Sequence, residues 1–103
     1  ELFDILVGPA RMPVDVKHYS PITAARTDIA ELTRKTGYKL RRMGRKRGLV
    51  VQSIGSDRDT IERVQWHHEG GAEVGYVPGL LDRDGQLIEK NMTALIRALA
   101  DGV

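Results

Sequence analysis

The chain predicts an α+β fold: a long N-terminal helix, a small antiparallel β-sheet, and a C-terminal amphipathic helix. Three patterns carry that expectation. Ile22, Ala25, Ile29, Leu32, Thr36, Leu40 and Met43 recur at steps of three and four, one apolar stripe on a helix spanning about 21–43. Two short β-branched runs, 49–54 and 61–68, flank turn residues at 56–60, as in a hairpin. Leu87, Ile88, Met92, Leu95, Ile96 and Leu99 trace a second stripe, from about 86 to 100, ended by Gly102.

Residues 1–20 read as an N-terminal strand or arm and 21–103 as a single α+β domain. Leu2 to Val7 is a short apolar run containing Asp4 and closed by Gly8-Pro9, which suits a strand that could join the hairpin. From Gly8 to Ser20 two prolines and weak periodicity predict an arm. Its apolar residues Met12, Val14, Val16 and Tyr19 are candidates for contact with a neighbouring subunit. Ser20-Pro21 is a suitable helix start, because serine can cap free amides and proline has no N–H to lose. Gly37 weakens the middle of that helix by about 1 kcal/mol relative to alanine, which predicts a bend or early fraying. In the second strand Val64, Trp66 and His68 share a face, with Trp66 as a core anchor. Residues 69–80, rich in glycine, read as a loop with a brief extended piece at Tyr76-Val77, and Asp82 to Gly85 as a turn in which Asp84 caps the last helix.

Composition narrows the function classes. No cysteine is present, which excludes a disulfide scaffold and a thiolate metal site. The longest apolar runs are too short to cross a bilayer, so no membrane partner is expected, and nothing at the front resembles an export signal, so the expected setting is cytoplasmic. Charge is unevenly spread. Residues 34–47 hold eight of the sixteen Lys and Arg and no carboxylate, while the remainder holds eight basic and fourteen acidic groups, so a +8 tract sits on a body of net −6. On a helix Lys35, Lys39 and Arg42 share a side, with Arg41 and Arg45 beside it and Lys46 and Arg47 following. Three readings stay open for these seven residues: a solvated helix end that offsets the helix dipole, contact with a nucleic-acid phosphate backbone, or contact with an acidic partner surface. With Tyr38 the single aromatic in the tract, base stacking there has little support.

Two motifs are weighed and set aside. Asp82-Arg83-Asp84-Gly85 looks like the nucleophile motif of haloacid-dehalogenase-type phosphatases, yet only fifteen residues follow Ile88, too few for the rest of that domain. Trp66-His67-His68-Glu69 resembles a nuclease or metal-binding run, but neighbouring strand residues point to opposite faces, so His67 and His68 cannot chelate one ion together. No metal, cofactor or catalytic residue is therefore expected.

The order of parts resembles the tail-completion, or neck, proteins of long-tailed bacteriophages, a family of head-tail joining and tail-terminator-like proteins. Gly48, Val50, Ser53 and Ile54 in the run 47–54 match the end of that family's first helix and its first strand. Val64-Gln65-Trp66-His67-His68-Glu69-Gly70-Gly71 is similar to its next strand and loop entry. The resemblance implies a non-enzymatic virion subunit that forms a hexameric or larger homo-oligomeric ring around the DNA channel. Its partners would be the adjoining head-tail connector or tail-tube proteins, and its basic segment would face DNA or an acidic ring surface; in such a ring, neutralising Arg41, Arg42, Arg45, Lys46 and Arg47 is expected to disturb assembly or DNA passage more than folding. The alternative is a small nucleic-acid-binding protein that uses the basic tract as its footprint.

Overall fold

The computed structural model describes residues 3, 5–8, 11–18, 28–55 and 59–101. The described elements are β1 (Ile5–Val7), β2 (Met12–Lys17), α1 (Ile29–Arg42), β3 (Arg47–Gln52), β4 (Trp66–Glu69), β5 (Ala72–Val77) and α2 (Glu89–Asp101). The five strands form one mixed sheet in the order β1-β2-β3-β5-β4. β2, β3 and β5 run parallel, and the antiparallel strands β1 and β4 close the two edges. Parallel neighbours need a long connection, and the one between β2 and β3 contains α1.

Alternation along the central strands builds two cores, one on each face of the sheet. Val14, Leu49, Val51 and Val77 pack with Ala94 and Ala98 of α2 on one side. Val50, Ala72 and Val74 pack with Leu32 and Leu40 of α1 and with Phe3 on the other. Strands covered on both faces read as near-continuous apolar runs, which is how Leu49-Val50-Val51 reads. At about 25 cal/mol per Å² of apolar surface, these buried rows are the main source of stability.

This architecture replaces the expected small antiparallel sheet. The hairpin between 49–54 and 61–68 does not form: β3 pairs in parallel with β2 and β5, and β4 pairs antiparallel with β5. Glycine content hid β5 inside the expected loop 69–80. Gly70 and Gly71 adopt positive φ, 58° and 95°, and make the tight turn between β4 and β5. Gly75 has a different task, since a Cβ there would come within 2.5 Å of Val64 and 2.7 Å of Leu49. Close packing, not disorder, is what that glycine serves.

The first helix is also shorter than the span 21–43. Asp28 is extended (φ −81°, ψ 100°), and its side chain accepts a hydrogen bond from the Glu31 N–H at 3.1 Å, so the described helix starts at Ile29. The expected start at Ser20-Pro21 lies outside the described residues, as do Ser56, Asp57 and Arg58 of the expected turn at 56–60. Gly37 neither bends nor frays α1. It is buried, and a Cβ there would meet the Cβ of Glu69 at 2.4 Å, so it lets the helix approach β4.

The N-terminal segment is no arm in its described part, because β2 lies inside the sheet. Met12 and Val14 are each 4% exposed and belong to the core of this chain, and Val16 packs against it. Tyr19 lies outside the described residues. The turn at 82–85 forms around Asp82 rather than Asp84: its Oδ1 accepts from the N–H groups of Asp84 and Gln86, both at 2.9 Å, ahead of α2. Trp66 is half-buried against the core, with the Arg47 guanidinium 4.4 Å from its ring centroid. Among the described residues no helix is long and apolar enough to cross a membrane.

Candidate functional site

β2 alternates, and two of its outward turns toward α1 are charged: Asp15 and Lys17, two residues apart and so on one face. The Asp15 carboxylate is almost fully buried, with a side-chain exposure of 7%. A lone carboxylate in such a place is costly, so it must find cations. Its Oδ2 forms an ion pair with Lys17 Nζ at 3.1 Å and accepts a hydrogen bond from Lys39 Nζ of α1 at 3.3 Å. The ammonium of Lys39 also lies 5.8 Å from the ring centroid of buried Phe3.

The register extends this cluster across the sheet. Asp15 lies beside Val50 and Val50 beside Tyr76, while Lys17 lies beside Gln52. Gln52 Nε2 donates to the Tyr76 hydroxyl, bridging the next strand pair. Lys17 and Gln52 end β2 and β3, and Tyr76 is one residue short of the end of β5, so the polar row sits at the carboxyl ends of three parallel strands. Ligands of open α/β sheets bind at that end, because the backbone there stops pairing and loops diverge. His18, next to Lys17, is exposed, and its Nδ1 is 3.0 Å from Ser53 Oγ just beyond β3.

The electrostatics are unbalanced. One carboxylate faces two ammonium groups, and both lysines keep part of their side chain in solvent, 25% for Lys17 and 33% for Lys39. Counted over the described residues, the cluster carries one more positive than negative charge. Among the described residues, no group of three or more His, Cys, Asp or Glu could hold a metal ion. His67 and His68 are exposed successive residues of β4. Asp4, which precedes Ile5 of β1, lies outside the described residues.

The basic tract does not act as one surface. Lys39 belongs to the Asp15 cluster, and Lys35 pairs with Glu31 one turn earlier at 3.2 Å. Arg41 donates to the backbone carbonyl of Glu69, tying the end of α1 to β4. Arg45 donates to the carbonyl of Arg11, the residue before β2. Arg47 pairs with Glu73 at 3.2 Å while its guanidinium lies over Trp66. Arg42 and Lys46 are exposed, with Arg42 5.7 Å from the exposed Tyr38 ring. Of the seven residues singled out in the tract, the structure brings only Lys39 into the polar row.

Asp15, Lys17, Gln52 and Tyr76 were missed as site residues. The signal was present: Val14-Asp15-Val16-Lys17 is a strand-like alternation whose second face carries opposite charges, which an unpaired arm has no reason to bury. No family model, curated protein or solved structure matches the chain.

Proposed function

We propose that the chain is a nucleic-acid-binding phosphodiesterase whose reacting groups are Asp15, Lys17 and Lys39. The observation that carries this reading is the net positive charge of the three-residue cluster, built around a buried carboxylate two residues before the end of β2 and reached by Lys39 from the last turn of α1. A phosphodiester has one negative charge and would neutralise it. Lys17 and Lys39 then turn from the carboxylate to the phosphate oxygens, where they offset the charge that develops on phosphorus substituents in the transition state. Their departure frees the Asp15 carboxylate to take a proton. A water oxygen forms the new bond to phosphorus, the bond from phosphorus to the leaving ester oxygen breaks, the water proton passes to Asp15, and the leaving oxygen is protonated by Lys17 or by solvent.

This departs from the expectation of a non-enzymatic ring subunit in a phage neck. That reading drew on the order long helix, hairpin, glycine-rich loop, helix, and the mixed sheet has a different order. It survives as an outcome of the test. Labelled DNA and RNA, single- and double-stranded, are incubated with the protein with and without magnesium, and its mass in solution is measured in parallel. The expected result is strand cleavage that falls at least a hundredfold in Asp15→Asn and in Lys17→Ala, in line with the roughly 10²–10⁴ contributed by a positioned proton acceptor. Unaltered cleavage by Asp15→Asn would overturn the assignment. Stable hexamers that neither cleave nor retain nucleic acid would favour the neck ring.

A further inference from the structure

Beyond the polar row, on the same face of the sheet, a groove of about 470 Å³ opens between the start of α1 and the β4–β5 edge. Its apolar walls are Ile29, Ile61 and the Tyr76 ring, and its polar edge carries Arg63, Gln65 and His67 together with Glu62, whose carboxylate is paired with Lys90. Ile29 is 42% exposed, unusual for the first apolar position of a helix that buries its next ones. His67 lies opposite Val74 in the β4–β5 register, so it stands on the α1 side of the sheet, as Tyr76 does. The size is that of a small-ligand site, and the composition, apolar walls with a few polar groups along one edge, is the usual one.

We propose that this groove receives one unpaired nucleobase of the strand whose phosphate lies at Lys17 and Lys39, with the Tyr76 ring as its stacking surface. The inference rests on the phosphodiesterase reading for the position of the phosphate, and adds to it a preference for single-stranded or locally opened nucleic acid. Continuity is the first argument. Tyr76 is two strands from Asp15 in the same cross-sheet row, about 10 Å at ordinary strand spacing, and Gln52 links its hydroxyl to the position beside Lys17. Groove and phosphate site are therefore two ends of one surface. Chemistry is the second argument. A base offers two flat π faces and a polar edge, which Tyr76 between Ile29 and Ile61 and the amide, imidazole and guanidinium groups of Gln65, His67 and Arg63 complement in kind. A paired base in a duplex has both faces stacked and its pairing edge engaged, so it cannot enter. Because the walls would contact any base by its face, discrimination among bases falls to the polar edge.

The test compares a fluorescently labelled single-stranded oligonucleotide with its duplex and with the same strand carrying one abasic position placed at each nucleotide in turn. Binding is measured at fixed salt with the wild type, Tyr76→Ala and Tyr76→Phe. The expected result is that single strand binds more tightly than duplex, and that Tyr76→Ala weakens it about tenfold while Tyr76→Phe, which keeps the ring, weakens it far less. One abasic position should reproduce the loss with the wild-type protein, and that position should cost Tyr76→Ala nothing further. Equal affinity for single strand and duplex, or abasic and Tyr76→Ala losses that simply multiply, would overturn the proposal. The abasic series uses the wild type alone, so it decides even if Tyr76→Ala folds poorly. If Lys17→Ala weakens every substrate alike while Tyr76→Ala changes nothing, the phosphate site stands and the base site falls. If Lys17→Ala has no effect on binding, the underlying reading fails instead.

Discussion

Two buried polar residues in this molecule, Asn91 and Asp15, solve the same problem in opposite ways. Asn91 at the start of α2 is fully buried, and its amide is used up internally: Nδ2 donates to the carbonyls of Asp59 at 2.8 Å and Gly79 at 2.7 Å, and Oδ1 accepts from the Ile61 N–H at 2.9 Å. Three chain segments are pinned by one neutral side chain, and nothing is left over. Asp15 is nearly as hidden, but among the described residues its two cations exceed its charge, and both reach solvent. A neutral group whose hydrogen bonds close within the fold is architecture; a buried ion whose counter-charges reach solvent leaves the fold open to a ligand.

That contrast can be broken most sharply by mutation. Asn91→Ala should lose about 3 kcal/mol of stability, since three backbone groups lose their partner inside the protein. Asp15→Asn keeps the shape and an acceptor oxygen, and its lysines can turn to water, so its loss should be about 1 kcal/mol or less. Chemical denaturation of both variants measures this. A larger loss in Asp15→Asn than in Asn91→Ala would make the lysine cluster a structural device.

The basic tract supports a smaller version of the same comparison. Arg41 ties α1 to β4, Arg45 ties the turn after α1 to the residue before β2, and Arg47 ties β3 to β5, so replacing all three with Gln should lower stability by about 1–2 kcal/mol. This reverses the expectation that the tract matters little for folding. Replacing the exposed Arg34, Arg42 and Lys46 should leave melting unchanged while reducing the salt dependence of nucleic-acid binding by up to about 0.9 log units for each phosphate that the variant no longer neutralises. Binding titrations over a salt series separate the two groups.

The smallest effect is expected beside Asn91, at the exposed pair Lys90–Glu62, 2.8 Å apart. The hydrogen bond and charge of Lys90 lower the Glu62 pKa, and those of Glu62 raise that of Lys90. A carboxylate with a lowered folded-state pKa contributes stability above its unfolded value and loses it as pH falls through the folded one. The raised lysine contributes below its unfolded value and loses it as pH rises through its folded one. Glu62→Gln should thus melt slightly below the wild type at neutral pH and together with it in acid; a difference that persists in acid would assign it to packing instead.

Much of the local structure was legible. The apolar stripe from Ile29 to Leu40, the β-branched run Leu49-Val50-Val51, the turn at 82–85 and the stripe of α2 all follow from side-chain periodicity and turn chemistry, which act within a few residues. Pairing was not legible, because whether β3 meets its neighbours in parallel depends on contacts far apart in sequence. The glycines misled for the same reason. Gly37 and Gly75 looked like weak points, and only the approach of Glu69 to one and of Val64 and Leu49 to the other explains them. The candidate site was the least legible part: its residues come from β2, α1, β3 and β5, and the densest run of charge supplies just one of them.

By itself, then, the sequence determined where helices and strands could form, that the chain lacks thiol chemistry, and that positive charge gathers at 34–47. Those are properties of composition and short-range order. The tertiary structure decided which cations are spent on holding the fold and which are left to meet an anion. That depends on burial: the same lysine charge is nearly free in water, yet beside a carboxylate screened from solvent by two packed layers it becomes a committed interaction. Lys39 and Arg42 stand three residues apart on α1, and only the sheet beneath them makes one the partner of a buried carboxylate and the other a solvated charge.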